Sequence, residues 1–231
     1  MQLDESITRS RFGARPPYFI NPYIQRMELQ DDWVFSEDVA KETRGQWAQK
    51  ITSEASAVHV EIGTGNGFHF AEYAKTRAEV AFLGFEIKYK TLVQSIERAR
   101  DFGAVRARMI KADARKLSDY FGPQEVEKVI VHFPDPWPKR RQQKNRLLNK
   151  AFFRELEVVL KTGGEFEFKT DHYGYFLFAA RNAAESQLTI IHYTEDLHHS
   201  FVAGENFVTA FEALFLKKGQ SIFSFKLRKE I

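Results

Sequence analysis

The stretch Val129-Ile-Val-His-Phe-Pro-Asp-Pro-Trp-Pro-Lys-Arg-Arg141 changes from mostly apolar residues to prolines and cations. Its first residues are apolar or β-branched, which predicts a buried strand. Three prolines then follow within five residues. Because proline has no N–H to donate to a sheet, we expect the strand to end near Phe133. A stiff loop should follow it, carrying one carboxylate (Asp135), one indole (Trp137) and a series of cations.

The cations form a local basic run. Six Lys or Arg residues and no acid lie between Lys139 and Lys150, although the net charge of the whole chain is only +3. The rest of the chain is therefore net negative. A solvated surface is one interpretation, but the position directly after Asp135 and Trp137 favours contacts with the phosphates of a nucleotide substrate. The candidates for these contacts are Lys139, Arg140, Arg141, Lys144 and Arg146.

A second informative stretch is Val58-His-Val-Glu-Ile-Gly-Thr-Gly-Asn-Gly67, which predicts a strand, a glycine turn and then a helix. Gly63 and Gly65 would let a ligand approach the backbone closely. The dinucleotide fingerprint fails, because its last glycine is replaced by Phe68. Glu61 would repel a pyrophosphate but suits a cationic ligand such as an ammonium or a sulfonium. A purely structural turn is the alternative.

Other acids stand where predicted strands end. Glu86 lies near the end of a strand over 81–87, where it suits a ribose diol. Asp113 ends the next strand, where it could meet an adenine amine or cap the following helix. Asp171 follows the strand after the basic run, and capping a helix is its alternative role. In an open α/β sheet, ligands bind beyond the carboxyl ends of the strands, so these acids should surround one crevice.

The order of elements predicts the fold class. Strands alternate with helices, so we expect an α/β fold with a doubly wound, mostly parallel seven-stranded sheet and helices on both faces. Residues 1–30 read as an irregular N-terminal arm, and residues 31–231 as a single domain. A helix is predicted from Asp32 to Ile51 and another from Leu147 to Leu160, ended by Thr162-Gly-Gly164.

Composition and sequence patterns narrow the class of protein further. The chain has no cysteine, so it has neither disulfides nor thiolate metal ligands. The pair His198 and His199 lacks a nearby acid at ligand spacing, so we expect no metal. We find no signal peptide and no apolar run of the roughly 20 residues that a membrane helix needs. A cytoplasmic protein is expected, and a monomer and a homodimer both remain possible.

Taken together, the acids at the strand ends resemble those of class I S-adenosylmethionine-dependent methyltransferases. The loop Phe133-Pro-Asp-Pro-Trp-Pro-Lys139 is similar to the signature of the bacterial tRNA (guanine-N7)-methyltransferases. Lys169-Thr-Asp171 and Thr209-Ala-Phe-Glu212, with Gly219 after it, resemble two further motifs of that family in the same order. The resemblance spans about Val58 to Leu227. Gln142 and Gln143 depart from it, since the family often has histidine after its arginines.

The resemblance implies S-adenosylmethionine as cofactor and tRNA as partner, with methylation of guanine 46 in the variable loop at N7. The cofactor contacts it implies are Glu61, Gly63, Gly65, Glu86, Asp113 and Asp135. The substrate contacts it implies are Lys139, Asp171, Thr209, Ala210, Phe211 and Glu212.

Asp135 is the candidate catalytic residue, because it lies between the expected cofactor crevice and the basic run. Two alternatives stay open. Pro134-Asp-Pro-Trp137 also resembles the loop of methyltransferases that modify exocyclic amines, and a non-catalytic RNA-binding module could use the same fold.

Overall fold

The structure is a computed structural model that describes residues 21–52 and 55–230. Most of the predicted N-terminal arm lies outside the described residues. The end of that arm is regular rather than irregular, because Pro22–Glu28 forms helix α1. Asn21 caps this helix by accepting a hydrogen bond from the Tyr23 amide at 3.0 Å.

The described part of the chain alternates strands and helices. The strands are β1 (Val34–Ser36), β2 (Ala57–Ile62), β3 (Val80–Phe85), β4 (Ala107–Lys111), β5 (Val126–His132), β6 (Leu160–Thr170), β7 (Thr189–Thr194) and β8 (Phe223–Arg228). The remaining helices are α2 (Glu37–Glu42), α3 (Trp47–Ile51), α4 (Phe68–Thr76), α5 (Tyr89–Asp101), α6 (Lys150–Val159), α7 (Tyr173–Ala184) and α8 (Ala210–Leu216).

All these strands form one sheet in the order β1-β4-β3-β2-β5-β6-β8-β7. Strands β1 to β6 pair in parallel, and β8 runs antiparallel to both of its neighbours. The doubly wound, mostly parallel α/β fold is therefore confirmed. Because the strands from β2 to β6 are parallel, their carboxyl ends meet at one edge of the sheet.

The sheet has eight strands in the described residues, not the seven predicted. The additional strand, β1, lies within the stretch that was expected to form one helix from Asp32 to Ile51. Val34 pairs with Met109 instead, and Ser36 then caps α2. Gly45 has a φ of +80° and interrupts the remainder, so that α3 is a separate helix.

Two other boundaries differ from the prediction. Helix α6 begins at Lys150 rather than Leu147, because the Asn149 side chain caps it and a 3₁₀ helix occupies Arg140–Asn145. Gly163 and Gly164 lie inside β6 rather than at the end of a helix. Gly163 has a φ of +77°, and a Cβ on Gly164 would lie 2.8 Å from the Lys161 carbonyl.

The core consists of two layers, one on each face of the sheet. On one face, α4 and α5 pack through Phe70, Leu92 and Ile96 against Phe82 and Met109. On the other face, the side chains of α3, α6 and α7 pack against alternate residues of the same strands, including Trp47, Phe152, Leu156, Phe166, Tyr175 and Phe176. The helices therefore cover both faces and leave the carboxyl edge open for a site.

Candidate active site

A cleft of about 440 Å³ lies at the carboxyl edge of the sheet. Four neighbouring strands each contribute a predicted residue to its wall: Gly63 after β2, Glu86 after β3, Asp113 after β4 and Asp135 after β5. These residues are far apart in sequence, and the parallel arrangement of their strands brings them together. The cleft is therefore where the sequence places the cofactor.

Glu86 and Asp113 already have defined partners in the cleft. Glu86 is buried, and its Oε1 accepts hydrogen bonds from the amides of Ile87 and Lys88 at 2.8 and 2.9 Å. Asp113 forms an ion pair with Arg115, whose Nε lies 2.8 Å from Oδ2. Burial alone would raise the pKa of Asp113, but the hydrogen bonds and charge of Arg115 hold that pKa below its usual value. Hydrogen bonds thus orient both carboxylates, and Arg115 keeps that of Asp113 ionised.

The glycine turn is built for close packing. Gly65 and Gly67 have φ values of +57° and +77°, and a Cβ on Gly67 would lie 2.4 Å from the Ser95 Cα. Glu61 does not line the cleft. It is buried beneath the turn, where it bonds to His69 Nδ1 at 2.8 Å. In this structure Glu61 therefore supports the turn from below.

The loop after β5 adopts an unusual backbone. Phe133 and Trp137 have φ values of +49° and +43°, in the left-handed region that residues other than glycine seldom adopt. Arg146 holds this loop, because its Nε donates to the Pro136 carbonyl at 2.9 Å. Such strain costs of order 1–3 kcal/mol per residue and typically occurs at functional sites. Asp135 lies exposed between the two strained residues.

The basic run divides into two groups. Lys139, Arg140, Arg141 and Lys144 are exposed on and beside the 3₁₀ helix at Arg140–Asn145. Arg146, in contrast, is only 3% exposed and lies over the rings of Tyr175 and Phe178. The expectation that Arg146 contacts RNA phosphate is not met here, because its guanidinium is used inside the protein.

Asp171 lies at the end of β6, next to the strand that carries Asp135. The alternative that Asp171 caps the following helix is wrong. His172 is the cap, since its Nδ1 accepts a hydrogen bond from the Tyr175 amide at 3.0 Å. The carboxylate of Asp171 is therefore not used as that cap.

The motif Thr209-Ala-Phe-Glu212 starts helix α8, with Ala210 as the first helical residue. Thr209 and Glu212 form a capping box, in which each side chain accepts a hydrogen bond from the other residue's amide, at 3.1 and 3.2 Å. Glu212 is completely buried, and its Oε2 accepts from Lys169 at 3.4 Å. A direct contact between Glu212 and a substrate would require these partners to rearrange.

Phe211 is placed differently from its neighbours in the motif. Its side chain is half exposed and lies over the glycine turn, with Cε2 4.0 Å from the Cβ position of Gly65. Its ring centroid is 6.4 Å from that of Phe133. Among Thr209, Phe211 and Glu212, Phe211 is therefore the side chain that lies exposed beside the glycine turn.

The structure also contains a buried polar cluster that sequence reasoning missed. His132 Nε2 lies 3.0 Å from Glu167 Oε1, and Lys128 lies 2.9 Å from Glu167 Oε2. Burial, together with the charge of Lys169, holds the pKa of His132 well below its usual value. Burial alone would raise the pKa of Glu167, but His132 and the lysines hold it well below. The alternation of Glu165, Glu167 and Lys169 along one strand was the available signal.

Comparison with known proteins identifies the family to which this chain belongs. A family model described as "Putative methyltransferase" matches residues 55–225. The tRNA (guanine-N(7)-)-methyltransferase of Bdellovibrio bacteriovorus is 39% identical over 197 residues, which cover 84% of this chain and 94% of that protein. The chain belongs to the tRNA (guanine-N7)-methyltransferase family. The resemblance found in its motifs is thereby confirmed.

A second relative supports the family, and a solved structure supports the fold. The enzyme of the same name from Bacillus subtilis is 33% identical over 180 residues, covering 78% of this chain and 84% of that protein. Among solved structures, an antibiotic-related methyltransferase superposes with a TM-score of 0.57 at 18% identity, over 79% of this chain and 92% of that one. At this identity the superposition supports the fold alone.

The cleft fits the cofactor that the family uses. Two buried or oriented carboxylates, Glu86 and Asp113, suit the hydroxyl and amine donors of an adenosine, and the turn at Gly63 permits close approach of a ligand. Over residues 21–52 and 55–230, no group of three or more metal-ligating side chains is arranged around a common point. Within that same part of the chain, no helix has the length and apolar character needed to span a membrane.

Proposed function

We propose that this protein transfers a methyl group from S-adenosylmethionine to N7 of guanine 46 in the variable loop of tRNA. One observation carries the proposal: the loop of Asp135 closes the cleft between the two cofactor carboxylates and the exposed cations of the basic run. The names of the relatives support the same reaction and substrate.

The bound cofactor supplies an electrophilic methyl group attached to a positively charged sulfur. Glu86 would hold the ribose, because its Oε1 is occupied by two backbone amides and its Oε2 is the oxygen left for hydroxyl groups. Asp113 would accept from the adenine amine while Arg115 keeps it ionised. Gly63 and Gly65 would let the backbone approach the rest of the cofactor.

Guanine N7 has a lone pair and no proton, so its attack on a methyl group needs no general base. The protein's task is then to orient the purine and to stabilise the positive charge that develops on it. Asp135 suits this task, since Pro134 and Pro136 restrict its backbone and Arg146 anchors the loop. Asp171, at the end of the adjacent strand, would accept from the purine edge on the other side.

The exposed cations at 139–141 and at Lys144 would bind the phosphates that flank the target. Binding of RNA over Asp135 would also exclude water from a carboxylate that is exposed in the free protein. The charge of Asp135 would then act in a less polar environment, where it is more effective. Since tRNA is the substrate, we expect the protein to act in the cytoplasm.

Tritiated methyl transfer to total tRNA, followed by nucleoside mapping, tests this function. We expect 7-methylguanosine at position 46, which alkali and aniline treatment cleaves. A methylated exocyclic amine, which resists this cleavage, would support the alternative reaction class. Absence of cofactor binding by calorimetry, with tRNA binding retained, would support a non-catalytic RNA-binding module.

A further inference from the structure

An exposed aromatic residue follows the glycine turn. Phe68 is the first residue of α4, and 41% of its surface is exposed. The guanidinium carbon of Arg98, on α5, lies 3.3 Å from the centroid of the Phe68 ring. Arg98 Nε also donates to the Asn66 carbonyl at 3.1 Å. The cation is therefore held over one face of the ring, in a defined orientation at the glycine turn.

The charge of Arg98 has no acidic partner among residues 21–52 and 55–230. In the same part of the chain, Arg26, Arg115 and Arg228 are each paired with a carboxylate. Arg98 uses Nε for the Asn66 carbonyl, and within the described part of the chain its terminal amino groups form no hydrogen bond, so they are available as donors. An oriented guanidinium with free donors beside an exposed aromatic ring suits a nucleotide, which has both a flat base and a phosphate.

The location of Phe68 and Arg98 also suits contact with an RNA bound at the cleft. Helices α4 and α5 cover one face of the sheet, whereas the basic run precedes α6 on the other face. Phe211 lies between the two sides, over the glycine turn and near Phe133. An RNA that reaches the cleft across the carboxyl edge of the sheet would thus meet the basic run on one side and Phe68 with Arg98 on the other.

We propose that Phe68 and Arg98 form a stacking platform for an unpaired nucleotide of the RNA substrate, close to the target guanine but distinct from it. The base stacks on the exposed part of the Phe68 ring, and the terminal amino groups of Arg98 donate to its phosphate. This inference rests on the proposed function, because it takes tRNA as the occupant. Stacking on a ring tolerates any base, so the platform contributes affinity and orientation rather than sequence specificity.

The test compares two substitutions of the ring. Phe68→Leu keeps an apolar side chain for packing but removes the aromatic face, whereas Phe68→Tyr keeps the face. We expect Phe68→Leu to raise the Kd for tRNA roughly tenfold and Phe68→Tyr to stay near wild type. The cofactor Kd, measured by calorimetry, should be unchanged in both.

The chain offers a matched control on the same two helices. Phe102, at the end of α5, lies 5.8 Å from the ammonium of Lys75 on α4, so it is a second aromatic–cation pair at the opposite end of these helices. Phe102→Leu should leave tRNA affinity unchanged. Wild-type tRNA affinity in Phe68→Leu would overturn the proposal. A loss of cofactor affinity as large as the loss of tRNA affinity would also overturn it, because Phe68 would then act by supporting the glycine turn.

The contribution of Arg98 has a separate signature. Arg98→Gln should reduce the slope of log K against log salt by about 0.7–0.9, the value for one lost phosphate contact, whereas Phe68→Leu should leave that slope unchanged. An unaltered salt slope in Arg98→Gln would show that Arg98 makes no phosphate contact. Failure of this platform is distinguishable from failure of the proposed function, because the wild-type protein would then still form 7-methylguanosine in tRNA.

Discussion

Substitution of Lys169 tests how α8 is held on the sheet. Lys169 lies on β6 and is only 2% exposed. Its ammonium donates to the Asn206 side chain, to the Phe207 carbonyl at 2.9 Å and to Glu212 Oε2 at 3.4 Å. All three acceptors belong to α8 or to the segment leading into it. One buried cation thus connects the central sheet to the Thr209–Glu212 motif.

Lys169→Met keeps most of the side-chain volume and removes the charge. Breaking a buried ion pair costs roughly 3–5 kcal/mol, because the remaining charge is left without compensation. Burial lowers the pKa of Lys169 while Glu167 and Glu212 raise it, so part of the interaction energy is already spent on desolvating the ammonium. The substitution removes that desolvation cost as well. We therefore expect a loss of about 3 kcal/mol in the free energy of unfolding, at the lower end of the range.

Urea unfolding followed by circular dichroism measures this loss, and hydrogen exchange locates it. Lys226→Met is the matched control, because Lys226 is 3.8 Å from Glu167 in the same cluster but its side chain is 20% exposed. There we expect a loss below about 1 kcal/mol. The backbone amide hydrogens of α8 should exchange faster than in wild type in Lys169→Met but not in Lys226→Met. Equal stability of the two variants, with a large loss of methyl transfer only in Lys169→Met, would refute this reasoning and make Lys169 a direct substrate contact.

Four further outcomes are expected. Glu86→Ala should weaken cofactor binding by on the order of 1–3 kcal/mol in calorimetry, because the ribose hydroxyls lose the Oε2 acceptor that the two backbone amides leave available; unchanged affinity would show that Glu86 does not bind the cofactor. Replacing the three cations at 139–141 with glutamine should lower tRNA affinity, and it should reduce the slope of log K against log salt by roughly 0.7–0.9 per lost contact. Arg146→Gln should instead lower thermal stability, since Arg146 is buried. Asp135→Asn should reduce kcat about 10²–10³-fold; a wild-type rate that rises tenfold per pH unit between about pH 6 and 8, and that is abolished in this variant, would make Asp135 a general base. The folded protein holds the pKa of His132 well below that of the unfolded chain, so stability should fall as the pH drops below about 6.5; His132→Gln should show a smaller fall in urea unfolding between pH 7.5 and 5.5.

The sequence alone determined the fold class and the position of the cleft. Strands and helices that alternate require a parallel sheet, and parallel strands bring their carboxyl ends to one edge. Glu86, Asp113 and Asp135 were therefore predictable neighbours, although tens of residues separate them along the chain. The end of β5 was also predictable, from a local property of the chain: the prolines after Phe133 have no N–H to donate to a sheet.

The tertiary structure decided which of the polar residues remain available to a ligand. Arg146 and Lys144 look alike in sequence, yet one lies buried over two aromatic rings and the other is exposed. The eighth strand, β1, has only three residues, which is too short for a periodic pattern to mark it. Glu212 pairs with Lys169, 43 residues away. No local pattern encodes such a contact, because burial and charge pairing arise only when distant segments pack together.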